Sequence, residues 1–308
     1  MILLGGIPSE TPLRMVADRL DHLGVDYRWF NQRHAGQYAL AWEVVAGEVR
    51  GDLRLGEERR RLEDIVGVYI RLMDDRLLPE LANEPDDSLV RRRCRALHNA
   101  FYNWCEVAPA RVVNRAEPQG SNSSKPYQAQ LIGRHGFWLP ETLITNDPGL
   151  VGEFRRQHGE IIFKSISGTR SIVRCLTDED LDRLEEVRWC PVQFQAFVPG
   201  TNVRVHTVGT DAFATEVHSN VTDYRYAHQS GEQTVLRAAE LPDEVMHACV
   251  RLAVDLDLPF AGIDLKVTPD GLVYCFEVNP SPAYSYFETH THQPIALAVA
   301  RYVAGFSP

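Results

Sequence analysis

Phe260-Ala-Gly-Ile-Asp264-Leu-Lys266-Val-Thr-Pro-Asp-Gly271-Leu-Val-Tyr-Cys-Phe-Glu277-Val-Asn279-Pro-Ser-Pro282 is the stretch that decides how this chain is read. Pro269-Asp270-Gly271 is a turn signal between two apolar runs, so the stretch is a β-hairpin. Side chains alternate across a strand. That puts Asp264 and Lys266 on one face of the first strand and Glu277 and Asn279 on one face of the second. Paired around the turn, Asp264 and Glu277 converge. Two carboxylates and an amide carbonyl are hard oxygen donors of the kind that suits Mg²⁺, and such sites leave their other positions to water and nucleotide phosphates. The plainer alternative is a hairpin with two exposed acids. Against it, Glu277 follows the apolar run Leu272 to Phe276, and an acid embedded there needs a partner.

Basic residues give the second clue. Of 32 lysines and arginines in the sequence, three are lysine: Lys125, Lys164 and Lys266. Arginine is a planar fork with a delocalised charge, whereas lysine is a compact, strongly hydrated point charge. In a chain that favours arginine, a surviving lysine marks a place where the compact charge fits, such as a narrow slot around a phosphate oxygen. The plainer alternative is biased codon use and chance, so the surroundings of each lysine must decide.

The remaining composition sets bounds. A length of 308 residues predicts two domains or one large lobed one, and 44% hydrophobic with 24% charged residues is ordinary for a globular chain with a core. A net charge of -10 opposes non-specific nucleic-acid binding. The opening MILLGGIPSE lacks the basic start of a signal peptide, and no apolar stretch reaches the length of a membrane span. Six cysteines without CxxC spacing read as reduced thiols in a cytoplasm.

The chain starts as β-α-β: a strand at Ile2–Leu4, a helix over Pro12–Leu23 closed by Gly24, and a strand at Asp26–Phe30. A hairpin or meander follows over Leu40–Leu55 with turns at Gly47 and Gly51. The helix from about Ser88 to Glu106 carries the run Arg91-Arg92-Arg93, read as a solvated face. Val112 to Pro126 reads as a boundary. Pro126 suits the first turn of a helix capped by Ser123 or Ser124, which sets Lys125 at a helix N-terminus, where the dipole already favours an anion. Thr177 opens an acidic helix from Asp178 to Glu186. The rest is strand-rich, interrupted by a helix at about 241–256 and closed by one at 294–304.

An Asp on one strand followed by Glu-x-Asn-Pro on the next resembles the metal site of the ATP-grasp superfamily. In style it is similar to the ribosomal-protein glutamate-ligase and glutathione-synthetase-like branch, which includes the graspetide macrocyclases. The resemblance spans roughly residues 112–305. It implies that Asp264, Glu277 and Asn279 hold two Mg²⁺ ions bridging the phosphates of ATP. It matches Lys125 to the helix-start lysine that reaches the phosphates and Ile161-Ile-Phe-Lys164 to a strand ending in a phosphate-binding lysine. Ser165-Ile-Ser167-Gly168-Thr-Arg170-Ser171 matches the loop that covers them, although relatives often carry several glycines there and this chain has one. Pro191-Val-Gln193-Phe-Gln195-Ala196-Phe197-Val198 resembles the strand that holds adenine, with Ala196 where many relatives have Glu. Asn202-Val-Arg204 resembles the strand whose arginine faces the reacting phosphate, and Thr222-Asp-Tyr-Arg225 the acceptor-site step of peptide-modifying members. Lys266, on the strand face of Asp264, takes either a phosphate contact or a charge-balancing role. His290-Thr-His292 is too small a set for a closed zinc site and reads as capping or packing, with acceptor lining as the alternative.

The resemblance implies an α/β (α+β) ATP-grasp fold in three lobes, 1–112, 113–193 and 194–308, with ATP between the last two. The implied activity is ADP-forming ligation of a carboxylate to an amine or hydroxyl through an acyl phosphate. The catalytic groups would be Arg204, Lys164 and Arg225, and the substrate a peptide or an amino-acid-like small molecule. The rivals are an ATP-grasp kinase, which stops at phosphoryl transfer to a hydroxyl, and a catalytically silent nucleotide-binding protein. No nucleic-acid or membrane partner is expected, and a homodimer is the default assembly. The N-terminal lobe carries no legible motif.

Overall fold

The computed structural model describes residues 1–166, 173–218 and 234–306. Ser167, Gly168, Arg170 and Arg225 lie outside the described residues. Four sheets organise what is described.

The first sheet is parallel, in the order β2 (Tyr27–Asn31), β1 (Ile2–Gly6), β6 (Gly67–Arg71), β7 (Arg111–Val113). All of β1 is buried, as a central parallel strand covered on both faces must be. Helix α1 (Thr11–His22) lays Leu13, Val16, Ala17 and Leu20 on one face of this sheet. The last helix of the chain, α8 (Ile295–Ala304), joins the same core with Ile295, Val299 and Val303 at four-residue spacing. Each such side chain contributes about 1.5–3 kcal/mol on full burial. The other face is covered by α2 (Leu89–Val107), whose Phe101 stacks on Phe30 at 4.1 Å between ring centroids.

A small antiparallel sheet, β3 (Tyr38–Val45), β4 (Glu48–Leu55) and β5 (Glu58–Arg61), flanks α2. Gly47 makes its turn with a φ of 85°. Gly51, expected at a second turn, instead lies within β4, where a Cβ would collide with the backbone of Ala41 and Trp42. The basic run on α2 is also more than a solvated face. Arg91 donates to the carbonyls of Glu84 and Leu81 at 2.8 and 2.6 Å, and Arg93 to that of Tyr38 at 3.0 Å.

The middle sheet is antiparallel where its pairings are described: β10 (Arg174–Cys175), β9 (Ile161–Lys164), β11 (Val192–Ala196), β8 (Thr142–Thr145). Helix α3 (Lys125–Ile132) precedes it, and α4 (Pro148–His158), capped by Asp147, connects two of its strands. The acidic helix is shorter than expected. Helix α5 spans only Asp178–Leu181 behind a Thr177–Asp180 capping box, then gives way to a 3₁₀ segment, Leu184–Trp189. None of the residues of α5 is buried, so it has no buried face to stabilise further turns.

The last sheet has five antiparallel strands, in the order β14 (Val235–Ala239), β13 (Asp211–His218), β12 (Thr201–Val208), β15 (Phe260–Val267), β16 (Val273–Asn279). Val203, Val205, Ala261, Ile263 and Leu265 point to one side, against Cys249, Leu252 and Ala253 of α6 (Asp243–Asp255). The alternate residues Asn202, Arg204, Gly262, Asp264 and Lys266 therefore face the other side. Helix α7 (Ser285–Thr291) links this sheet to α8. No described helix is long and apolar enough to cross a membrane. Cys94, Cys105, Cys249 and Cys275 are buried thiols outside any disulfide.

Candidate active site

The expected hairpin forms, and its register holds a feature that alternation alone could not give. From Val267↔Val273 to Leu265↔Cys275 the ladder is regular; beyond it the pairs become Asp264↔Glu277, Ile263↔Val278 and Gly262↔Asn279. Phe276 is an extra residue, a β-bulge. In a regular ladder Asp264 would sit opposite Phe276, and Glu277 would point toward α6. The bulge switches the face and sets Glu277 directly across from Asp264, with Asn279 two pairs further along on the same face.

Each carboxylate meets a cation. Arg204, paired with Asp264 across β12 and β15, donates from Nη1 to Asp264 Oδ1 at 2.6 Å. Lys125 Nζ lies 3.5 Å from Glu277 Oε2. The lysine comes from the first turn of α3, as its place before Pro126 predicts, although Ser124 makes no side-chain cap bond. One turn on, Gln128 is buried and bonds both backbone groups of Val278. Asn114 binds the backbone of Phe260 at the start of β15, and its Nδ2 donates to the Pro280 carbonyl at 2.5 Å. Asn279 Oδ1 accepts from Ser281 N at 2.9 Å.

Between the middle and last sheets runs a cleft in two adjoining parts, about 830 and 740 Å³, with Lys164, Gln195 and Phe276 lining both. The first part is walled by Ile162, Phe197, Val198, Arg204, Asp264 and Glu277, and the second includes Lys125 and Gln193. Lys266 also lines the first part, so every lysine of the sequence lines the cleft. Lys266 Nζ stands 5.3 Å from the centroid of the Phe197 ring, and burial lowers its pKa. The N–H groups of Ala196 and Phe197 donate to the carbonyls of Glu141 and Glu160, both at 2.9 Å.

Among the described residues no three His, Cys, Asp or Glu side chains cluster as a metal site. The donor set is two acids and an amide. It fits a hard cation that draws its other ligands from phosphates and water. His290 and His292 stand apart as caps and packing: His290 Nδ1 lies 2.7 Å from the Tyr286 carbonyl, and His292 is the left-handed cap of α7.

Three contributors escaped the sequence reading, Phe276, Gln128 and His206, and Gln193 was read only as part of the adenine-holding strand. Gln128 had a legible signal, since it is three residues after Lys125 and so shares its helix face. Gln193 and His206 are buried, and Gln193 Oε1 and both His206 ring nitrogens have no partner among the described residues. Burial, with the charge of Arg204 added, holds the His206 pKa well below its ordinary value, so the ring is neutral.

No family model and no curated protein matches the chain. Solved structures do. A RiPP-associated ATP-grasp ligase of Chryseobacterium gregarium, in complex with ADP and a leader and core peptide, superposes with a TM-score of 0.84 at 21% identity, covering 100% of this chain and 97% of that one. The macrocyclase MdnC of Microcystis aeruginosa MRC, bound with precursor peptide MdnA, gives 0.80 at 20% identity over 99% of each chain. The ATP-grasp ligase PsnB, complexed with a phosphomimetic variant of minimal precursor, Mg and ADP, gives 0.78 at 25% identity over 100% of this chain and 98% of that one. The chain shares the α/β ATP-grasp fold of these ligases over its whole length.

Proposed function

We propose that the protein is an ADP-forming ligase that modifies a peptide, joining a carboxylate to an amine or hydroxyl by way of an acyl phosphate. The observation that carries this reading is the pairing of Asp264 with Glu277 across the Phe276 bulge, at a cleft lined by all three lysines. It is supported by the peptide and ADP bound to the similarly folded ligases.

In this reading ATP lies in the cleft with its base along Gln195, Ala196, Phe197 and Val198. Lys125 and Lys164 hold phosphate oxygens, and Lys266 adds a third positive charge. Asp264, Glu277 and Asn279 would hold two Mg²⁺ ions, which would neutralise phosphate charge. Ser167 and Gly168 would cover the phosphates, and Arg225 would hold a substrate carboxylate. A carboxylate oxygen of the peptide attacks the γ-phosphorus and ADP leaves. The amine or hydroxyl then attacks the acyl carbon, losing its proton, and phosphate leaves. Arg204 meets the charge that develops on the transferred group, and the rest of the protein's contribution is positioning. The three lobes, 1–112, 113–193 and 194–308, the cytoplasmic setting and a homodimer belong to the same proposal.

The test is trapping. The enzyme is incubated with MgATP, hydroxylamine and a short Thr-, Ser-, Asp- and Glu-bearing peptide, taken from a neighbouring gene where one encodes it. A peptide hydroxamate is expected. Phosphorylation of a peptide hydroxyl with no hydroxamate would make the protein a kinase instead.

A further inference from the structure

Gly262 faces the cleft, between Asp264 and the start of β15, and pairs with His206 on one side and Asn279 on the other. A Cβ built on Gly262 would run into Arg204: its three nearest atoms are Nη2, Cζ and Nε of that guanidinium, all closer than any real Cβ contact. Arg204 itself pairs with Asp264, one alternate position along. Its guanidinium therefore does not stand over its own row of the sheet. It leans diagonally across the bare Cα of Gly262, into the row that ends in Asn279, while Nη1 holds Asp264.

From this we infer that Gly262 is a positioning residue for the phosphoryl-transfer step: its missing side chain is the slot that holds the Arg204 guanidinium flat between the rows of Asp264 and Asn279. The inference rests on the ligase reading of the site. Nothing else about the position asks for glycine. Its φ is not in the left-handed region, so alanine meets no backbone strain there. Glycine within a strand is otherwise unfavourable. In a Gly262→Ala variant the guanidinium must rise out of the slot, away from Asp264 Oδ1 and from the transferred phosphoryl group. A misplacement of about 1 Å at such a group costs about 100-fold in rate.

Two measurements test this together. The first needs no substrate: melting temperatures of the parent, Gly262→Ala, Arg204→Ala and the double variant. Gly262→Ala should lower the melting temperature in the parent. It should raise it in the Arg204→Ala background, where the slot is empty and only the glycine-to-alanine entropy gain remains. An equal shift in both backgrounds would overturn the slot, and this reading survives even a Gly262→Ala enzyme too unstable to assay. The second is ADP release with the peptide substrate. Gly262→Ala should lower kcat about 100-fold and change the KM for ATP by less than about threefold. The kcat losses of Gly262→Ala and Arg204→Ala should be far from multiplicative. Parental kcat in Gly262→Ala, with Arg204→Ala inactive, would overturn the inference alone. Parental kcat in Arg204→Ala would overturn the role of Arg204 in the ligase reading.

Discussion

Gln128 and Val278 are joined through both backbone groups of the valine: Gln128 Nε2 donates to the Val278 carbonyl at 2.8 Å, and the Val278 N–H donates to Gln128 Oε1 at 2.9 Å. Val278 lies between Glu277 and Asn279 on an edge strand, so the glutamine does the work of a missing neighbouring strand. Gln128→Leu leaves two buried backbone groups without partners, at about 1–3 kcal/mol each. Chemical denaturation should show a loss of about 2–6 kcal/mol. The Mg²⁺ concentration needed for half-maximal turnover should rise with it, because the strand carrying two proposed ligands is no longer fixed.

The same helix carries Lys125, 3.5 Å from Glu277 and 8% exposed. A guanidinium is wider than an ammonium and spreads its charge over a fork. Lys125→Arg should therefore raise the KM for ATP about tenfold or more, consistent with loss of one charge-assisted contact of about 1.5–3 kcal/mol. Steady-state kinetics with varied ATP checks this. An unchanged KM would return the scarcity of lysine to codon bias.

Gln195 is oriented by a chain of hydrogen bonds. Thr142 Oγ1 donates to the Pro140 carbonyl at 2.9 Å and accepts from Gln195 Nε2 at 3.0 Å. That leaves Gln195 Oε1 as an acceptor, buried and without a partner among the described residues. It suits the exocyclic amine of adenine and opposes the carbonyl oxygen of guanine. Gln195→Leu should shrink the preference for ATP over GTP by about fivefold to tenfold, the value of one neutral hydrogen bond. The ratio of kcat/KM for the two nucleotides measures it.

His206 predicts a pH effect. Its native pKa lies well below the ordinary 6.5, through burial first and Arg204 second. Below pH 6.5 the unfolded chain binds a proton that the native ring refuses. Stability therefore falls as pH drops through that value, by up to about 1.4 kcal/mol per pH unit, and above it the group contributes no slope. His206→Leu should remove this slope. Denaturation of both proteins at pH 7.5 and at about 5.5 compares them, and the difference in stability between them should shift toward the variant at the lower pH.

Much of the site was legible because its chemistry is carried by residue types. Asp264, Glu277 and Asn279 stand at alternating positions around a turn signal, and Lys125 and Lys164 end or begin elements whose caps can be read. What stayed hidden depends on relations between strands. The Phe276 bulge decides which face Glu277 takes, and it appears only once β16 is paired with β15. Gln128, His206 and Gly262 are ordinary residues in ordinary elements until packing sets them beside Val278 and Arg204. The α8 helix was predictable from its period, but not its place in the core of the first sheet, at the opposite end of the sequence from β1. Gly51 misled for a related reason: what it accommodates is the close approach of Trp42, not a turn.

The central claim is most directly tested by the mass of the peptide product. The enzyme is incubated with MgATP and the same short Thr-, Ser-, Asp- and Glu-bearing peptide, in parallel with Glu277→Ala of confirmed fold. The account predicts a product lighter by one water for each bond formed, one ADP released per bond, and both lowered at least about 100-fold in the variant. A product heavier by a phosphoryl group, or a Glu277→Ala enzyme that turns over like the parent, would contradict it.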